Sequence, residues 1–113
     1  EKIKINLDVD EYIENTTPDI KNIIYRTVQE GLTNSIKHGR PTEIIISIYR
    51  KEDEIKLSII DNGTGCKKII KGNGLKNIEE RISIIDGEIS YISGDKGFTL
   101  NIFIPIKEGK ILA

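Results

Sequence analysis

The chain has 113 residues, 37% hydrophobic and 31% charged, a size and balance that suit one small globular domain and exclude a disordered tail. A net charge of -1, with Lys and Arg spread along the chain, removes the electrostatic case for a nucleic-acid binder. The single cysteine, Cys66, excludes an internal disulfide and suits a reducing, cytoplasmic compartment, and no apolar run nears the roughly 20 residues that cross a bilayer. The chain opens inside a strand-like pattern and without a Met, as expected of a fragment of a longer protein.

In chain order, Ile3, Ile5, Leu7 and Val9 alternate with polar neighbours, which predicts a half-buried strand. Thr17-Pro18 then reads as a helix start, with Thr17 capping free amides and Pro18 at a position that loses no hydrogen bond. The helix is expected to run to His38 and to stop at Gly39 and Pro41, burying a stripe of Ile20, Ile24, Val28 and Leu32. Two strands follow, Glu43 to Tyr49 and Glu54 to Ile60, joined by a charged turn from Arg50 to Asp53. After a short Lys-rich loop, Leu75, Ile78, Ile82 and Ile85 have helix spacing up to a C-cap at Gly87. Two final strands, around Glu88 to Ser93 and Phe98 to Ile104, are joined by Gly94 to Gly97. The order predicts an α/β (α+β) two-layer sandwich, a mixed sheet with its helices on one face.

Three short stretches carry chemistry. On the long helix, Glu30, Asn34 and Lys37 share one flank at about 100° per residue. A carboxylate, an amide oxygen and an ammonium there suit a water, a hard cation and a phosphate, although a solvated helix face explains the trio equally well. Asp61 ends an apolar strand and leads into Asn62-Gly63-Thr64-Gly65, where two glycines permit close approach of a flat ligand. Taken alone, Asp-Asn-Gly is also ordinary turn chemistry. Gly72-Asn73-Gly74 opens the second helix, and free amides at a helix start favour anions. It matches neither a Walker loop nor a dinucleotide fingerprint.

The ordered set, E-x-x-x-N on a helix, then strand-D-x-G-x-G, then G-x-G-L opening a second helix, resembles the Bergerat-fold (GHKL) ATPases. Tyr25 to Gly39 (YRTVQEGLTNSIKHG) looks like the N box of that family, Asp61 to Gly65 like its G1 box, and Gly72 to Leu75 like its G2 box. The first of these, with GNGLKNIEERI, is especially similar to sensor histidine kinases of the nitrate-sensor and degradative-enzyme type. The resemblance covers Ile3 to Pro105 and implies the Bergerat fold, with ATP and Mg²⁺ as ligands. It implies that Glu30 polarises water or positions the reacting phosphate, that Asn34 holds Mg²⁺, and that Lys37 touches phosphate with His38 lining the same site. Asp61 would read adenine, Gly63 and Gly65 would allow close approach, and Gly72 and Gly74 would hinge on the phosphate side, with Leu75 closing the second helix on the core. It further implies phosphoryl transfer to a histidine on a dimerisation domain of the same protein, then to a response regulator. The kinase would work in the cytoplasm, leaving membrane anchoring of the full protein open.

The match departs in its last box, where Gly97-Phe98-Thr99 stands for Gly-Thr; Thr99 replaces the missing hydroxyl one place later, or the contact is lost. The loop from Gly65 to Gly72 is short, with Lys67, Lys68 and Lys71 either meeting phosphates or simply solvated. Cys66 reads as a bystander beside the glycines. Rival readings are an anti-sigma factor serine kinase and a non-catalytic nucleotide-binding regulatory module.

Overall fold

The computed structural model describes residues 2–63, 73–94 and 97–106, the side chains of His38 and Asn73 excepted. Five strands form one sheet: β1 (Lys4–Val9), β2 (Glu43–Lys51), β3 (Glu54–Asp61), β4 (Glu88–Gly94) and β5 (Gly97–Pro105). Their spatial order is β1-β2-β3-β5-β4, with β1 parallel to β2 and the other pairs antiparallel. Two helices, α1 (Pro18–Gly39) and α2 (Asn73–Ile84), pack on one face. Strand alternation decides which face that is. Ile44, Ile46 and Ile48 of β2, Ile55, Leu57 and Ile59 of β3, and Leu100, Ile102 and Ile104 of β5 are all buried, whereas Ile45 and Ile60 between them are exposed. The predicted two-layer α/β sandwich is therefore the observed architecture.

Thr17 caps α1 as expected, its hydroxyl accepting from the Ile20 amide at 3.4 Å with Pro18 inside the first turn. The buried seam of the helix lies elsewhere than the predicted stripe. Ile24 is buried, but Ile20, Val28 and Leu32 are only half-buried, and the seam continues through Thr27, Gly31, Ser35 and Gly39. Small residues let the helix axis approach the sheet closely. A Cβ on Gly31 would run into Ile59 Cδ1 and lie 3.7 Å from Leu100 Cδ2.

Two helix ends also differ from expectation. Gly39 remains in α1, and Arg40 takes the left-handed conformation at φ 46°. After α2, the left-handed residue is Asp86 at φ 59°, not Gly87. Gly87 serves close approach instead, since a Cβ there would meet Ile82 Cγ2 and Phe103 O at 2.7 Å each.

A short 3-10 helix over Glu11–Asn15, which alternation and helix spacing do not signal, links β1 to α1. Strand β1 itself was expected to be half-buried, yet all six of its residues are exposed. It is the outermost strand, and Ile5, Leu7 and Val9 lie on the helix side of the sheet but beyond the cover of α1.

Candidate functional site

The last strand residue of β3 lies against the C-terminal end of α1. Asp61 is only 4% exposed, and an ideal Cβ on Gly39 would be 3.6 Å from its Oδ1. Oδ1 accepts hydrogen bonds from the Gly63 amide at 3.0 Å and the Phe98 amide at 3.2 Å. Oδ2 receives no hydrogen bond from any described residue. Burial of a carboxylate whose second oxygen is tied by none of the described residues favours a ligand that brings its own donor.

Glycines make this corner possible. Gly63 packs against the Gly39 backbone, where a Cβ would strike the Gly39 carbonyl oxygen and lie 2.6 Å from its carbon. Gly97, at φ 142°, lies so close that a Cβ would strike the Asp61 carbonyl oxygen. Asn62 acts as a clamp rather than as turn chemistry: its Oδ1 accepts from the Thr42 and Glu43 amides, both at 2.9 Å, and its Nδ2 donates to Thr42 Oγ1. The chain leaving α1 is thereby tied to the end of β3.

A second group lies earlier on α1. The start of α2 meets that helix where Glu30 and Asn34 share a flank: a Cβ on Gly74 would be 2.6 Å from Glu30 Oε2 and 3.7 Å from Asn34 Nδ2. Asn34 Nδ2 is buried without a hydrogen-bond partner. Since the two ends of an amide are interchangeable by a flip, the position is equally one for an oxygen ligand. That orphaned amide suits Mg²⁺, which takes few protein oxygens and keeps others from water and phosphate. Among the described residues no cluster of three or more His, Cys, Asp or Glu could hold a metal instead. Lys37 is exposed on the next turn of the same helix. Glu30 and Gly39 are nine residues apart, about 13 Å along the axis.

The structure thus brings Glu30, Asn34 and Gly74 together at one end, and Asp61 and Gly63 at the other. Leu75 points away from both as part of the core, 8% exposed. Gly65, Gly72, Cys66 and the lysines of the intervening loop lie outside the described residues, as does the His38 side chain.

Thr99 does not join the group. In register, Asp61 pairs with Phe98, whereas Thr99 pairs with Ile60 and Ile92. Paired residues share a face, so Thr99 points to the face away from the helices, and one step along a strand cannot replace a neighbour's hydroxyl. Phe98 is the residue on the Asp61 side, with its ring centroid 6.1 Å from that of Tyr91. Burial pushes the Tyr91 hydroxyl, and the Glu79 charge helps hold it, well above the ordinary tyrosine range. Gly39, Gly97 and Phe98 also meet Asp61 at this corner, Phe98 by strand register and the two glycines by close approach, which only the tertiary arrangement reveals.

A surface groove of about 540 Å³ lies at the opposite end of the sheet, lined by Lys51, Glu52, Asp53, Glu54, Asp86 and Glu88, among others. Its excess of carboxylates disfavours phosphates.

Sensor histidine kinase YvfT of Bacillus subtilis is 35% identical over 91 residues, which cover 80% of this chain and 24% of that protein. Sensor protein VraS of Staphylococcus saprophyticus is 27% identical over 110 residues, covering 94% of this chain and 31% of that protein. The chain therefore spans about a quarter to a third of these curated relatives. In fold it is similar to the Erythrobacter litoralis EL346 blue-light activated histidine kinase, with a TM-score of 0.86 at 21% identity over 98% of this chain and 37% of that one. Residues 19–108 match the family described as Histidine kinase-, DNA gyrase B-, and HSP90-like ATPase, and the chain belongs to that family.

Proposed function

We propose that this chain is the ATP-binding catalytic domain of a two-component sensor histidine kinase. It binds ATP with Mg²⁺ and donates the γ-phosphate to a histidine on a separate dimerisation domain of the same protein, from which a response-regulator aspartate takes it. The observation that carries this reading is the pairing of two groups along the C-terminal half of α1. A buried carboxylate with an oxygen that no described residue ties suits the exocyclic amine of adenine, and about 7–13 Å back along the helix an orphaned amide and a carboxylate suit the phosphate end.

In this reading Asn34 holds Mg²⁺ together with phosphate oxygens, and the ion neutralises phosphate charge. Glu30 polarises a water or positions the reacting group, Lys37 contacts phosphate, and His38 lines the site. Gly63 and Gly65 allow close approach of the base, and Gly72 and Gly74 hinge on the phosphate side. The family resemblance and the lone cysteine support a cytoplasmic setting.

Transfer of this kind rests on positioning and charge neutralisation, so these few groups are sufficient protein chemistry. The only histidine, His38, belongs to the helix that walls the site, whereas transfer needs an acceptor held in line about 3–3.5 Å from phosphorus, which the separate dimerisation domain would supply. The chain alone is therefore expected to bind ATP without labelling itself. Incubation with γ-labelled ATP and Mg²⁺ should give acid-labile label only on an added dimerisation domain. Label on the chain itself that disappears in His38→Gln would overturn this reading.

Asp61→Asn tests the base end. Oδ1 keeps both amide bonds, but an NH₂ replaces Oδ2 and faces the adenine amine donor to donor. ATP and ADP binding is expected to weaken by about 1–3 kcal/mol with the fold intact. Calorimetric titration that finds equal affinities would remove Asp61 from the site.

A further inference from the structure

We propose that the free edge of β1 pairs antiparallel with β1 of a second copy of this chain, centred on Asn6. The directions of the backbone groups set which registers are possible. The Lys4 amide donates to Thr42 O at 2.9 Å and the Asp10 amide to Ile48 O at 2.8 Å, so the even-numbered residues of the segment bond inward to β2. Ile3, Ile5, Leu7 and Val9 therefore turn their N–H and C=O outward. An antiparallel ladder on this edge must set odd-numbered residues of one copy opposite odd-numbered residues of the other.

Among those registers, charge selects one. With Asn6 opposite the partner's Asn6, Ile5 faces the partner's Leu7, and Ile3 faces the partner's Val9. On the other face Lys4 meets the partner's Asp8, and Lys2 meets the partner's Asp10. The segment from Lys2 to Asp10 reads K-I-K-I-N-L-D-V-D, basic at one end and acidic at the other, so antiparallel pairing matches every charge with its opposite. A parallel in-register pair would set Lys against Lys and Asp against Asp.

Charges on an edge strand ordinarily block pairing with other chains. Here they block every partner except one running the other way with the same sequence. Both Asp10 oxygens are already engaged, accepting from the Tyr12 and Arg50 amides, whereas among the described residues Asp8 accepts at Oδ2 alone, so the Lys4–Asp8 pairs carry the selection. The Tyr49 hydroxyl donates to Asp8 Oδ2 at 2.5 Å, which holds that carboxylate in place and raises the affinity of Tyr49 for its own proton. Ile5, Leu7 and Val9 are 48%, 63% and 44% exposed, an apolar row that a second β1 would extend rather than leave open to water.

So short an edge buries less than the roughly 1,600 Å² of a standard interface, as weak, transient associations do, so the test spans protein concentrations on the order of 0.1–1 mM. The test is sedimentation equilibrium of the whole chain over that range, with the variants Lys4→Asp and Asp8→Lys. Wild type should form dimers. Each variant alone should associate roughly tenfold more weakly or worse, because each self-pair sets two like charges opposite. An equimolar mixture of the two variants restores every opposite pair and should dimerise like wild type. Both positions are exposed, and thermal melting checks that each variant folds.

Amide exchange on wild type needs no variant: the outward amides of Ile5 and Leu7 should be protected at high protein concentration and exposed at low. A wild type that stays monomeric throughout would overturn the proposal and give this edge to a different partner. Variants that dimerise as well as wild type, a mixture that stays monomeric, or dimers without protection at Ile5 and Leu7 would each overturn it too.

Discussion

Glu30→Gln should leave ATP affinity nearly unchanged and slow phosphoryl transfer to a supplied acceptor histidine by about 10²–10⁴-fold, the usual worth of a positioned acid–base group. The substitution keeps the shape of the side chain, so its packing at Gly74, where a Cβ would lie 2.6 Å from Oε2, is preserved. It removes the negative charge and the proton acceptor. Binding is therefore spared, because in the proposed site Asp61 reads the base and Asn34 holds the ion. The chemistry is not spared, since the carboxylate oxygen nearest Gly74 is replaced by a group that cannot take a proton. Single-turnover labelling of the acceptor, alongside titration of ATP, separates the two effects. Transfer as fast as wild type would leave Glu30 with no part in the reaction.

Gly63→Ala should destabilise the fold by about 2–3 kcal/mol, within the range for atoms forced into a packed space. The added methyl would collide with the Gly39 carbonyl oxygen and lie 2.6 Å from its carbon and 2.9 Å from its Cα. These are backbone atoms at the end of a 22-residue helix and cannot rotate aside as a side chain would. Relief requires the end of β3 to part from α1, which would also disturb the Gly63 amide bond to Asp61. The melting temperature should fall by roughly 8–24 °C, taking about 4–8 °C per kcal/mol at this size. Nucleotide affinity should fall with it. A variant that melts like wild type would show that the corner has slack the packing does not indicate.

Asp61→Asn and Gly63→Ala probe the same corner in different ways. The first changes a hydrogen bond and spares the backbone; the second spares the carboxylate and moves the backbone. Lost binding with an unchanged melting temperature in the first, and loss of both in the second, would separate recognition from support.

How much of this was legible beforehand follows from the range of each interaction. Alternation and helix spacing are local, so the five strands, the two helices and the Thr17-Pro18 start could be read from neighbouring residues. The E-x-x-x-N flank was likewise legible, because helical geometry alone sets Glu30 and Asn34 on one side. The two-layer architecture followed from the order of elements, since amphipathic helices must cover one face of the sheet.

What only the tertiary structure decided depended on partners far away in sequence. The buried seam of α1 runs through Thr27, Gly31 and Ser35, because the closeness of Ile59 rewards small residues over large apolar ones. Hydropathy cannot reveal that distance. Thr99 looked one step from a usable hydroxyl, but register with Ile60 and Ile92 turns it to the opposite face, and strand period makes one step a complete reversal. Strand β1 carries the alternation of a half-covered strand yet stands exposed, because its place at the edge of the sheet is set by pairing and not by its own pattern. By itself the sequence determined which elements form and which chemical groups they carry. The packing of α1 on β3 and β5 decided which of those groups meet, because contact between residues distant in the chain depends on strand order and register, which no local pattern contains.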